Sequence, residues 1–536
     1  MMMPKVQQML ELKLNETFSI PLQPFPFQYI FLAAIFFILL HRWSSYRNSS
    51  VPPSPPKLPI IGNLHQVGSL PHRSLQTLSQ RHGPVMLLHF GSKPVLVISS
   101  AEAASQIFKT HDLIFSDRPK FIFFEKIVYN SKDILSAPYG DYWRQLRSIC
   151  VLNLLSNKRV HSFHAVRQEE TRLMISNILQ SCSVLSSSSS SSSPVLNLSN
   201  IFMKLSNDVI SRTALGRKYS DLREDRGKMF MKIVKDMSEF FTRVNIGDYI
   251  PWLAWFTRLS GFDAELDDLA KRADAFLNMV IQEHIDKSNS GIDGMNDNEE
   301  QKDFVDVLLA VQKENAARVL VDRVGIKAII LDIFAAGSET SFTTLEWVMS
   351  ELMRNPRVMT KLQNEVREVV GKKEDITEDD LVEMNYLKAV IKETFRLHPP
   401  LPLLVPRMSN KNVKINGYNI TAKTQVMVNA WAIGRDPKSY TNAEQYEPER
   451  FLNSAIDYKG NDFELIPFGS GRRGCPGIQF TIALIEIVLA NIVHKFNWKL
   501  PDGATAEDLD MSESTGITAS RKYPLEVVAR PYSSCF

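Results

Sequence analysis

Cysteine is scarce, with four in 536 residues, and Cys150, Cys182, Cys475 and Cys535 are widely scattered. That excludes a small disulfide-stapled secreted frame and points to a reducing compartment. A strong charge bias is also missing. Lys plus Arg number 62 against 59 Asp plus Glu, a net charge of +3, so no nucleic-acid partner is expected. No phosphate-binding P-loop, no zinc-type Cys/His spacing, no CxxCH haem-attachment sequence, no Rossmann-type nicotinamide fingerprint and no internal repeat occurs. What is there is globular: 44% hydrophobic and 23% charged, with ample material for a large core.

The one membrane candidate is FPFQYIFLAAIFFILLHRW, Phe25 to Trp43, and only Gln28 interrupts its apolar part from Phe27 to Leu40. That part is shorter than the ~20 residues of a comfortable span. Tyr29 and Trp43 suit the membrane interface, and His41, Arg42 and Arg47 follow in place of a small-residue cleavage site. We therefore expect an uncleaved anchor within a leader of residues 1–50, although Lys5 and Lys13 weaken the charge asymmetry. Prolines cluster in VPPSPPKLPIIGN, residues 51–63, a semi-rigid hinge before a body of residues 64–536. In that body VMLLHF and VLVISS flank a Gly/Pro turn as two strands. Most of the rest has helical periodicity, so a mainly α body with small β-sheets is expected. The serine run 186–193 and the polar stretch from Ser288 read as loops.

The chemistry concentrates in FGSGRRGCPG, Phe468 to Gly477. Glycines such as Gly469 and Gly477 let a backbone approach a flat ligand closely. Peptide N–H groups around Cys475 are expected to lower its proton affinity, and Arg472 and Arg473 can pair with carboxylates of a cofactor. A thiolate, a close backbone and a cation suit haem iron better than zinc, which needs further ligands. A bland loop remains the alternative for this stretch alone.

Three further stretches gain meaning together. KETFRLHP sets Glu393 and Arg396 three apart on one helix face, with Arg450 of PERF as a second cation for the carboxylate. LDIFAAGSETSFTTLEW interrupts an apolar helix with Gly337, Glu339 and Thr340, where the helix is expected to bend or open. DYWRQLR places Trp143 and Arg147 one turn apart. In this order, with Phe468, Gly471, Arg473, Cys475 and Gly477 at their spacing, the chain resembles the cytochrome P450 family. Within it, PIIGNLHQ and PFGSGRRGCPG are similar to plant microsomal enzymes of specialised metabolism.

The resemblance implies a cytochrome P450 fold behind a single anchor helix, and haem b with Cys475 as axial ligand and only metal ligand. It implies Arg147, Arg473 and Arg407 at the haem propionates, a structural triad of Glu393, Arg396 and Arg450, and proton delivery by Glu339 and Thr340. Ala336, Gly337, Leu401, Leu403, Val405, Gly516 and Ile517 are the expected pocket wall. Electrons are expected from NADPH through NADPH-cytochrome P450 reductase, with cytochrome b5 as a further candidate donor. The implied activity inserts one oxygen atom from O2 into a small hydrophobic metabolite, a terpenoid by preference, with phenolics, coumarins or aldoximes as other classes. The implied location is the endoplasmic reticulum membrane, single-pass, with the body on the cytosolic face. A reductase-independent isomerase, lyase or dehydratase and a non-enzymatic haem protein are the competing classes.

Overall fold

The computed structural model describes residues 50–184, 194–220, 225–243, 245–289, 302–314, 321–371, 373, 375–514, 516 and 518–532, with Ala33 and Phe36. The apolar run Phe25–Trp43 otherwise lies outside the described residues, as do the serine run, Ile517 and Cys535. The chain divides into two compact units, Met1–Val51 and Pro52–Phe536.

In the second unit α1 (Pro71–His82) opens on a proline, whose missing N–H costs nothing at a first helical position. The two β-rich runs form the expected hairpin: β1 (Val85–Phe90) pairs antiparallel with β2 (Lys93–Ile98). β2 then runs parallel to a distant partner (Gln425–Val428), which pairs antiparallel with Arg407–Met408. Numbering Arg407–Met408 as β3 and Gln425–Val428 as β4, the sheet order is β1-β2-β4-β3. All four β4 residues are buried, as expected for a strand covered on both faces.

Helices make up the bulk. They include α2 (Asp141–Ile149), α3 (Leu198–Leu215), α4 (Asp225–Thr242) and α5 (Phe262–Asn289). The longest, α6 (Arg323–Arg354), is followed by α7 (Pro356–Val370), α8 (Asn385–Leu397) and α9 (Ile478–Lys495). Asp322 caps α6 by accepting the Gly325 N–H at 2.7 Å, and Pro356 ends its periodicity after Arg354 by starting α7. Among the described residues α9 alone is long and apolar enough to cross a membrane, but it is mostly buried in the core. Trp347, Phe202, Phe304 and Phe395 are fully buried as well. Removing each such ring from water stabilises the fold by on the order of 2–3 kcal/mol.

α6 packs along α3, and Gly337 permits the approach. A Cβ there would lie 2.6 Å from Ile210 Cδ1. The expected bend or opening at Gly337 is not found, since α6 is helical without interruption from Arg323 to Arg354. The bare glycine accommodates a neighbouring helix.

Candidate active site

The loop before α9 turns on two left-handed glycines, Gly469 (φ +66°) and Gly471 (φ +70°). A side chain at Gly471 would collide with Asp112 Oδ1 at 2.4 Å and the Phe108 carbonyl at 2.6 Å. At Gly469 the nearest atom to an added Cβ is Leu404 Cδ1 at 4.0 Å, which leaves that face of the loop bare. Gly477 has ordinary backbone, φ −91°, and its N–H donates to Cys475 Sγ at 3.4 Å. The Cys475 N–H donates to the Phe468 carbonyl at 3.0 Å, and Phe468 packs edge-on against Phe395 with ring centroids 5.0 Å apart. Burial pushes the Cys475 thiol above its usual range, against smaller opposing pulls from the Gly477 N–H and Arg147. The peptide N–H expected to lower its proton affinity is present at Gly477, but burial outweighs it; coordination to a metal would hold the thiol deprotonated. Cys150 is buried among core side chains and its thiol is pushed up chiefly by burial.

Around this loop four guanidinium groups converge. Arg147 donates to the Gly474 carbonyl at 2.7 Å, and Arg407 donates to the Ser470 carbonyl and to Asp112 Oδ1 at 2.9 Å. Arg473 donates to the carbonyls of Ser116 at 2.7 Å, Ile134 at 3.1 Å and Ala137 at 2.5 Å. Trp143 sits between cations, with Arg473 4.1 Å and Arg147 5.6 Å from its ring centre, and donates its indole N–H to Ile134. The fourth, Arg118, donates to Leu135 at 2.9 Å, Val405 at 2.7 Å and Pro406 at 2.8 Å. It was missed in the sequence, where DRP carries no signal by itself. Arg473 directs its donors to three carbonyls of the 116–137 stretch, and Arg472 is half-exposed and pairs with Asp112.

The cluster carries more positive charge than its surroundings offset. Burial, then repulsion from Arg407, Arg473 and Arg147, holds Arg118 well below its ordinary value. Burial and neighbouring arginines also bring Arg407 and Arg473 down to about 10, with Asp112 opposing at Arg407. A buried, self-repelling cluster of this kind favours a ligand bearing carboxylates.

α6 supplies the other wall. Ala335 and Ala336 are exposed midway along a helix whose C-terminal half is buried, so this turn is left uncovered. Thr340 Oγ1 donates to the Ala336 carbonyl at 2.5 Å. Glu339 accepts from Ser238 of α4 at 3.1 Å and from Thr518. Leu401, Val405 and Gly516 are half-buried. Leu403 instead packs against the core of Leu75, Met86 and Leu88 beside the sheet, which assigns it to packing and not to the pocket wall.

Behind the cysteine loop, Glu393 and Arg396 form a fully buried bidentate pair, with both contacts at 2.7 Å. Arg450 reaches Glu393 Oε1 at 3.1 Å, and the Glu447 N–H donates to the same oxygen at 2.7 Å. Arg396 also ties down the carbonyls of Gly434, Ala443 and Gln445. Every polar atom of the carboxylate is engaged, which makes the cluster a brace for the surrounding turns.

A half-buried cysteine beside a bare glycine, within a cationic cluster, fits a flat, carboxylate-bearing, metal-centred cofactor. The comparisons agree. The family model for Cytochrome P450 matches residues 52–527, and the chain belongs to the cytochrome P450 family. It is 61% identical to cytochrome P450 736A117 of Prunus mume, over 97% of this chain and 98% of that one. It is 51% identical to a norfluorocurarine oxidase of Strychnos (89% and 92% covered) and 47% identical to a tabersonine/lochnericine 19-hydroxylase of Catharanthus roseus (94% and 96%). A solved zebra fish cytochrome P450 with abiraterone has the same fold, with TM-score 0.71 at 22% identity over 86% of this chain and 99% of that one. The chain is thus a cytochrome P450 monooxygenase, of a family that binds haem through a thiolate and draws on NADPH through a reductase. The thiol, the bare Gly469 face and the under-compensated arginines fit that group.

Proposed function

We propose that the chain inserts one oxygen atom from O2 into a small hydrophobic specialised metabolite, a terpenoid by preference, with electrons relayed from NADPH by its reductase. The observation that carries this reading is Cys475 held in its glycine loop beside a converging cluster of buried arginines. Cys475 Sγ would hold the haem iron, and Arg118, Arg147, Arg407 and Arg473 would face its propionates, with Trp143 stacked against the cations. Bound there, haem supplies activation of dioxygen for oxygen-atom transfer. Thr340 Oγ1 and the Glu339 carboxylate would border the substrate space, hold a water and pass a proton into it. Ala336, Gly337, Leu401 and Val405 would wall the substrate and exclude bulk water.

Membrane residence at the endoplasmic reticulum, with the body cytosolic, is part of the proposal. It draws support from the Phe25–Trp43 run and from an exposed apolar patch of Ile246, Trp252, Trp255, Phe256 and Leu259, the last 74% exposed. The test is the absorbance of the reduced, carbon monoxide-treated protein. Wild type and Cys150→Ala should show the thiolate-type band, and Cys475→Ser should lose it; equal behaviour of the two variants would remove Cys475 from the iron. Turnover of a terpenoid and phenolic panel with and without NADPH and reductase then separates oxygenation from isomerase, lyase or dehydratase chemistry.

A further inference from the structure

Glu339 is held by two elements other than its own helix. Ser238 Oγ of α4 donates to Oε2 at 3.1 Å, and Thr518 Oγ1 of the C-terminal segment donates to Oε1. Both carboxylate oxygens are therefore engaged by hydroxyls, while the Thr340 hydroxyl is given to the Ala336 carbonyl at 2.5 Å. The Thr518 side of the tie carries further hydrogen bonds. The next residue's N–H donates to the Pro400 carbonyl at 2.9 Å, its carbonyl accepts the Trp347 indole N–H at 2.6 Å, and Ser514 and Ser520 bond each other at 2.7 Å. The Ser238 side rides on α4, whose side-chain ties include Asp236 to Arg272 of α5 at 2.7 Å. One carboxylate thus joins the C-terminal segment, the central helix and α4.

We propose that Ser238 and Thr518 are positioning residues that hold the Glu339 carboxylate between α4 and the C-terminal segment, in the orientation from which it serves the proton relay. Release of either hydroxyl lets it turn out of that orientation. This rests on the reading of Glu339 and Thr340 as the proton-delivering pair. Two hydroxyls donating to one half-buried carboxylate select a single rotamer, since each bond to a charged acceptor outweighs the side chain's residual freedom. The tie also makes the carboxylate's position depend on where α4 sits, so a ligand that shifts α4 shifts Glu339 with it.

The experiment uses the full-length haem-loaded protein with its reductase and a substrate found in the panel above. It measures product and hydrogen peroxide per NADPH. In the unproductive branch NADPH supplies the electron pair, solvent the protons, and dioxygen leaves as hydrogen peroxide. Thr518→Val and Ser238→Ala should each lower product per NADPH by about five-fold, the worth of a net hydrogen bond of ~1 kcal/mol. Thr518→Ser, which keeps the hydroxyl, should restore the wild-type ratio. In a Glu339→Ala background Thr518→Val should have no further effect, because the partner is gone. A second readout needs no turnover: amide hydrogen exchange across residues 225–242 should quicken in Ser238→Ala and Glu339→Ala. The thiolate band of each variant reports an intact fold. If Glu339→Ala uncouples turnover while Thr518→Val and Ser238→Ala match wild type, the positioning role is overturned and proton delivery stands. If Glu339→Ala stays fully coupled, proton delivery by Glu339 fails. The tie is then decided by exchange, which supports it if quickened and overturns it if unchanged.

Discussion

At the scale of single residues the site divides its labour between charge and hydroxyl groups. Arg118 is the sharpest case, because its guanidinium closes three backbone carbonyls while sitting among three other cations. Its replacement by Ala should lower haem retention by ~10-fold or more, as expected for losing a charged, hydrogen-bonded partner of a carboxylate. Haem per protein after gel filtration measures it, and Arg118→Lys should fall between, since a point charge cannot repeat the fork. Thr340→Ala leaves the helix intact, because its hydroxyl serves only the Ala336 carbonyl one turn back. Its expected effect is on proton delivery: unchanged ferric spectrum and substrate binding, with NADPH diverted to peroxide. Unaltered product per NADPH would take Thr340 out of the relay.

Elements meet through glycines whose tolerance differs for a geometric reason. Gly434 has helical backbone, φ −64°, yet a Cβ there would lie 2.3 Å from the Arg396 carbonyl, a rigid backbone atom. Gly434→Ala should therefore disturb the Glu393–Arg396 brace and cost about 2 kcal/mol by overpacking. Gly337 also faces a close neighbour, but that atom is the movable tip of Ile210. There the ~1 kcal/mol of helix propensity gained by Ala offsets the repacking, so Gly337→Ala should be near neutral. Paired thermal melts of the two variants check the contrast, which reverses what the sequence implies. In the sequence Gly337 stands out as the special position, since glycine inside a helix is conspicuous, whereas Gly434 lies in an unremarkable stretch. What could be read was local. The Cys475 loop, the Glu393–Arg396 spacing and the Trp143–Arg147 turn each fit inside a dozen residues, and their backbone geometry follows from their own side chains. What could not be read was assembled by folding. Arg118 meets Val405 across 287 positions and Thr518 meets Glu339 across 179, and no local periodicity encodes such a meeting.

Over the whole molecule the same long-range logic links folding to pH at a place remote from the site. His284 of α5 contacts Asp303 at 2.8 Å and the Val280 carbonyl at 2.8 Å, with Asp306 nearby. The end of α3 presses on the pair, since a Cβ added at Gly216 (φ +72°) would lie 2.5 Å from Asp303 Oδ2. Burial alone would lower the imidazole, but the Asp303 hydrogen bond and charge, with Val280 and Asp306, raise it from 6.5 to about 9. The folded protein therefore holds this proton more tightly than the unfolded chain does. The stabilisation is complete below pH 6.5 and is lost as pH rises toward about 9, where the folded state loses its excess proton. Its size is roughly 1–3 kcal/mol, given about 1.4 kcal/mol for each tenfold gain in proton affinity and the partial exposure of the pair. Replacing the imidazole by an uncharged amide, His284→Gln, should lower the unfolding midpoint below pH 6.5 and converge on wild type above pH 9. Urea titrations across that range measure the difference, and a gap between the two proteins that stays constant with pH would show that His284 acts through packing and not through its proton.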